Sequence, residues 1–154
     1  MIRRIVLALA AATLLAGCAA GPNAVTLKQY TPTDGNQAST GSINVLNLVL
    51  VAGSDEGASL IATIVNSGAT ADSLQTIAVN GVPMTIVADT LDLLQDRPMI
   101  FGGESATASA TVNLSSVKPG QLVPVEIYFT QAGLISTTAL VREPTLEFAP
   151  TDQG

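Results

Sequence analysis

Few side chains in this chain can do chemistry. Its 154 residues hold one cysteine, Cys18, three methionines, no histidine and no tryptophan. Without imidazole there is no histidine base, no Ser–His–Asp or Cys–His nucleophile system and no imidazole metal ligand. A single thiol cannot close an intrachain disulfide or build a cysteine-cluster zinc site. The thioethers of Met84 and Met99 are soft donors and weak metal candidates. Their preferred reading is as adaptable core fillers. Twelve carboxylates are present, and the densest run is Asp89, Asp92 and Asp96. Its spacing does not match the Asp-x-Asp-x-Asp-Gly loop that grips calcium, so it reads as solvated loop charge. Gly102-Gly103-Glu104-Ser105 lacks the Gly-Lys-Ser/Thr of a phosphate loop. No Gly-x-Ser-x-Gly elbow exists, and Lys28 and Lys118 give a Ser–Lys pair no setting. The expectation is a non-enzyme without a cofactor. A net charge of −6 and 3% aromatic residues speak against nucleic acid, which demands basic patches and stacking platforms.

Cys18 is placed by what precedes it. Arg3 and Arg4 start the chain, Ile5 to Leu14 is an uncharged apolar run, and Leu15-Ala16-Gly17-Cys18 follows. A basic start, a short apolar core and small residues before a cut form a secretory signal. The run is far short of the roughly 20 apolar residues of a membrane-spanning helix. Leu-Ala-Gly-Cys resembles a bacterial lipobox, the alternative being an ordinary signal peptide with an incidental cysteine. The resemblance implies that residues 1–17 are removed and that Cys18 receives a diacylglyceryl thioether and acyl chains such as palmitate. Each buried CH₂ adds about 0.8 kcal/mol, so two or three chains anchor stably where one does not. The expected location is the extracytoplasmic face of a bacterial cell membrane. Cleavage leaves four basic and twelve acidic side chains, net −8. The lipid, and not an acidic protein surface, would hold the chain to anionic membranes.

Residues 18–42 read as a lipidated tether. Gly21-Pro22-Asn23 and Thr31-Pro32-Thr33-Asp34-Gly35-Asn36 punctuate it with turns and extended segments. As a random coil it would span about 25–30 Å. From Ile43 the composition changes. Ile43–Val51, Leu60–Val65, Leu74–Val79, Met84–Val87, Ala106–Leu114, Val123–Thr130 and Leu134–Val141 read as strands. Val123–Thr130 is the clearest, with Val123, Val125, Ile127 and Phe129 on one face. Asn80-Gly81 is a strong hairpin signal. Ala88–Met99 fits either a helical turn or a loop. About seven short strands with turns every 8–12 residues predict an all-β fold, an antiparallel β-sandwich over 43–142, followed by a polar tail at 143–154.

Two stretches carry a family resemblance. Gly57 to Leu74 reads G-A-S-L-I-A-T-I-V-N-S-G-A-T-A-D-S-L, and Gly120 to Val141 reads G-Q-L-V-P-V-E-I-Y-F-T-Q-A-G-L-I-S-T-T-A-L-V. Together they resemble the PCuAC family of periplasmic copper chaperones, and among its relatives the lipid-anchored actinobacterial proteins of the LpqE kind. The resemblance covers about 100 mature residues and implies a cupredoxin-like or immunoglobulin-like sandwich. It also implies a Cu(I) site of His and Met, with one His-x-Met pair just before a strand leucine. Here that pair corresponds to Thr111 and Asn113, neither a useful Cu(I) ligand. Met84 is the nearest candidate for the first of the other two ligands, Gln95 stands at the later spacing, and Met99 does not fit.

The sequence therefore predicts an envelope lipoprotein presenting a PCuAC-like sandwich as an interaction or accessory module. Its partners would be the membrane, through Cys18, and an envelope protein or small ligand of unknown identity. The alternative is a metal (copper) or small-ligand carrier with an altered site.

Overall fold

The computed structural model describes residues 35–53 and 57–144. Cys18, the segment assigned to the signal, most of the tether and residues 145–154 of the tail lie outside them. Eleven strands make up the described fold: β1 Asn36–Thr40, β2 Ile43–Ala52, β3 Gly57–Asn66, β4 Asp72–Val79, β5 Val82–Pro83, β6 Thr85–Ala88, β7 Asp92–Leu93, β8 Met99–Phe101, β9 Ala108–Asn113, β10 Leu122–Phe129 and β11 Gly133–Arg142. The count exceeds the expected seven because of short pieces. β5, β7 and β8 have two or three residues each, too few for an alternation to register.

The main path runs β5-β4-β10-β11-β2-β3-β8-β9-β6. β5 and β6, at its two ends, are separated in sequence by Met84 alone. One extended segment thus pairs with β4 at its start and β9 at its end, wrapping the sheet into a barrel-like sandwich. Most pairings are antiparallel. β11 pairs with β2 in parallel, Leu140 facing Val49, and Phe101 of β8 faces Ala108 of β9 in parallel.

Alternation builds the core. Ala58, Leu60, Ala62 and Ile64 of β3 and Val123, Val125, Ile127 and Phe129 of β10 point inward around Phe101, which is fully buried. β2 departs from strict period 2. Ile43 and Val45 face the core before a bulge, and Leu48 and Leu50 after it. Leu46 and Val49 pair with Thr63 and Ile61, so β2 carries one extra residue there. Asn47 takes it up with φ 53°, a left-handed conformation that Asn tolerates better than most residues. A Cβ on Gly35 would lie 2.4 Å from the Asn47 carbonyl carbon, so glycine lets the chain start flush against the bulge. β4 makes the same phase change between Leu74 and Ile77, opposite Phe129 and Ile127.

β1 lies in the stretch assigned to the tether, so the sheet begins at Asn36 rather than Ile43. Its sequence, NQAST, is short and polar and gives no periodic signal. Pairing with β2 fixes it, with Asn36 Nδ2 donating to Thr137 Oγ1 (3.0 Å) and the Thr138 carbonyl (2.8 Å). Asn80 and Gly81 turn with φ 50° and 77°, both positive as the hairpin signal requires. Within Ala88–Met99, Ala88 ends β6 and Met99 starts β8, and the residues between are loop apart from β7 and an isolated bridge from Gln95 to Asn66.

Candidate functional site

β3 is a ruler for the candidate ligands. Thr111 faces Ser59 on β3 and Thr85 on β6, and Asn113 faces Gly57. Both side chains are exposed on one face of β9. Met84 adjoins Thr85 but points the other way and is 6% exposed. Met99 is 5% exposed and faces Ile64 on β3. Ile64 lies five residues beyond Ser59, about 17 Å at ~3.3 Å per residue. β4 tells the same story: the Met84 N–H donates to the Ile77 carbonyl, while β7, leading toward Met99, sits at the Asp72 end. Two thioethers sharing one copper ion must lie within about 5 Å of each other at ordinary metal–sulfur lengths. The fold brings Met84 near Thr111 and Asn113, leaves Met99 at the other end, and gathers no copper donor set from these four. Among the described residues no three His, Cys, Asp or Glu side chains converge on a point that could hold a metal ion.

Met99 instead floors a cleft of about 410 Å3 lined by Asp89, Thr90, Asp92, Leu94, Arg97, Pro98 and Thr107. The acidic run read from the sequence divides here. Asp89 and Asp92 line the cleft, whereas Asp96 turns aside with φ 54°. The Ser73 hydroxyl donates to Asp92 Oδ1 at 2.8 Å, and the Asp92 N–H donates to Thr90 Oγ1 at 3.1 Å. The loop is thereby tied to the start of β4.

Asn66 and Asp72 lie in the first of the two stretches that carry the family resemblance. The structure makes Asn66 and Asp72 the two buried polar side chains among the described residues, 0% and 8% exposed. Asn66 Nδ2 donates to the carbonyls of Thr70 (2.8 Å) and Leu93 (2.9 Å). Its Oδ1 accepts from Gly68 N–H (2.9 Å) and the Ser42 hydroxyl (3.0 Å). All four positions of the amide are filled, as burial requires. Asp72 Oδ1 accepts the N–H groups of Ser73 and Gln131, and Oδ2 that of Ala132, each at 2.8 Å. Burial pushes the carboxyl pKa up, but the N–H groups of Gln131, Ala132 and Ser73 together outweigh it and hold the group below 3.8. A lesser contribution comes from Thr130, whose N–H donates to the Ser73 carbonyl. Hydrogen bonds to the charged form explain the direction. The clamp fastens β4 to the β10–β11 turn and engages both carboxylate oxygens.

No family model and no curated protein matches the sequence. Solved structures do. The copper-bound PCuAC domain from PmoF2 superposes with a TM-score of 0.60 at 19% identity, over 71% of this chain and 99% of that one. The apo PCuAC domain from PmoF1 gives 0.60 at 20% identity, over 71% and 100%. The apo PmoF2 PCuAC domain gives 0.55 at 17% identity, over 74% and 99%. The chain has a PCuAC-like, cupredoxin-like fold. Identities this low carry the fold and say nothing about the site.

Proposed function

We propose that this chain is a lipid-anchored lipoprotein of the bacterial envelope whose PCuAC-like sandwich acts as a non-enzymatic interaction or accessory module. One observation carries the reading. The scaffold residues Asn66 and Asp72 are in place, while Thr111 and Asn113 occupy the positions where the family resemblance implies copper ligands, and Met84 and Met99 sit level with positions of β3 that are five residues apart, about 17 Å along the strand. Copper as cargo does not fit the donors present. The anchor follows from Leu15-Ala16-Gly17-Cys18. Titration of the protein with Cu(I) under reducing conditions tests the first part. Affinity tighter than micromolar, lost on Met84→Ala, would restore a copper carrier. Cys18→Ser tests the second part, because it should release the protein from the membrane fraction or block its processing.

The cleft at Met99 supports a second reading, a carrier of small ligands, since its volume falls in the ~300–1,000 Å3 range of ligand pockets. A thermal-shift survey of small metabolites separates the two readings. Stabilisation by a small molecule, abolished by filling the cleft with Thr107→Trp, would favour the carrier.

A further inference from the structure

β6 differs from the other end of the sheet path. It pairs with β9 along Thr85–Ala88, and among the described residues no strand lies against its other side. A row of backbone donors and acceptors there is a template for another strand. Proteins blunt such edges with lysine, proline or a bulge. β5 carries Pro83, whereas β6 reads Thr-Ile-Val-Ala, with no charge, proline or register shift. Val87 projects from it 66% exposed, an unusually open β-branched side chain beside an open edge. The strand then runs directly into the cleft, because Asp89 and Thr90, which follow Ala88, line it. Thr107, which precedes Ala108, the partner of Ala88, lines it too. Edge and cleft form one surface: the outer edge of a four-residue strand, then a hollow with two carboxylates in its lining.

We propose that this surface takes an extended polypeptide segment of a partner protein, which adds a strand to β6 and places a lysine or arginine beside Asp89 and Asp92. This rests on the interaction-module reading and names its partner class. A backbone is the only common ligand with donors and acceptors recurring at strand spacing. The cationic end follows from charge complementarity, because two carboxylates and one guanidinium, that of Arg97, line the cleft. A second copy fits less well, since each mature chain carries net −8, and like charges oppose association.

The test uses the full lipidated chain in neutral detergent. The probes are fluorescent octapeptides of alternating Val and Thr, one ending in two lysines and its control in two glutamates. Anisotropy should show saturable binding of the lysine peptide, preferred about tenfold or more over the control and weakened by salt. Asp89→Asn should weaken it about threefold, and Val87→Lys, on an exposed side chain that leaves the core intact, by more than about tenfold. Backbone amide signals of Thr85–Ala88 should shift on binding. Equal affinity for the glutamate peptide, unchanged binding by the Val87→Lys protein, or no binding at millimolar peptide would each overturn the proposal. So would concentration-dependent self-association abolished by Val87→Lys. If the peptide fails while crosslinking in envelopes still captures a protein partner at another face, the module reading survives and only this surface is refuted. If crosslinking captures none, the module reading fails as well.

Discussion

Replacing Asp72 by asparagine tests whether the clamp between β4 and the β10–β11 turn holds the sandwich together. The carboxylate accepts three backbone N–H groups on two oxygens. An asparagine has one oxygen. With that oxygen toward Ser73 and Gln131, two bonds persist, and the new NH₂ faces the Ala132 N–H. Leaving that buried donor unpaired costs about 1–3 kcal/mol. Changing the remaining two from charge-assisted to neutral removes about 0.5–1 kcal/mol each, since bonds to charged groups are roughly twice as strong. The sum is about 3 kcal/mol, a large share of the ~5–15 kcal/mol that holds a domain folded. Urea unfolding of parent and Asp72→Asn at neutral pH measures it through the midpoint at constant slope. The acid limb gives a second signature. The folded-state pKa of Asp72 is lowered from 3.8, so its contribution is complete above the unfolded value and is lost as pH falls through the folded one. The gap between the two proteins should be constant from about pH 7 to pH 5 and shrink below about pH 4. A gap under about 0.5 kcal/mol at neutral pH, or one that stays the same down to acid unfolding, would refute the clamp.

Asn66→Ala strips the partners from Gly68, Thr70, Leu93 and Ser42 together and should destabilise by about 3–5 kcal/mol, read by the same urea assay. Gly102→Ala puts a Cβ 2.9 Å from Ile61 Cγ1 at φ +80°, so it should cost about 1–3 kcal/mol, whereas Gly103→Ala, with open space around it, should cost only the backbone part. The charge of Glu126, burial and the Tyr128 Oη–Glu126 Oε2 hydrogen bond (3.3 Å) raise the Tyr128 pKa above 10. An ultraviolet titration should therefore find Tyr128 ionising late, and Glu126→Gln should bring it back toward 10.

Strand periodicity was legible where a strand keeps one phase. β10 shows its inward face in sequence because Val123 to Phe129 alternate without a break. β2 does not, because the bulge at Asn47 moves the core face from odd to even positions, leaving only an apolar run. β1 and β8 escaped because short pieces get their conformation from a partner strand rather than from their own pattern. The site was harder to read for the same reason. Asn66 and Asp72 stand in a stretch that carries the family resemblance, but their hydrogen bonding depends on Leu93 in one case and on Gln131 and Ala132 in the other. Those partners lie 27 and about 60 positions away, beyond any local spacing rule. The separation of Met84 from Met99 became readable only once the pairings of β3 with β8 and β9 were known.

The parallel contact between β2 and β11 also governs when the chain can fold. Leu140 meets Val49 across 91 positions of sequence, so nearly the whole domain must be present before the seam closes. Such non-local closure slows folding, because loop entropy is lost before the contacts form. A chain exported amino terminus first, as proposed here, delivers β2 to the far side of the membrane early and β11 last. On that proposal the β2–β11 seam cannot close until β11 has followed. Under that proposal it would fold once, as a unit, and any truncation before Gly133, which removes β11, should yield an unfolded, protease-sensitive chain.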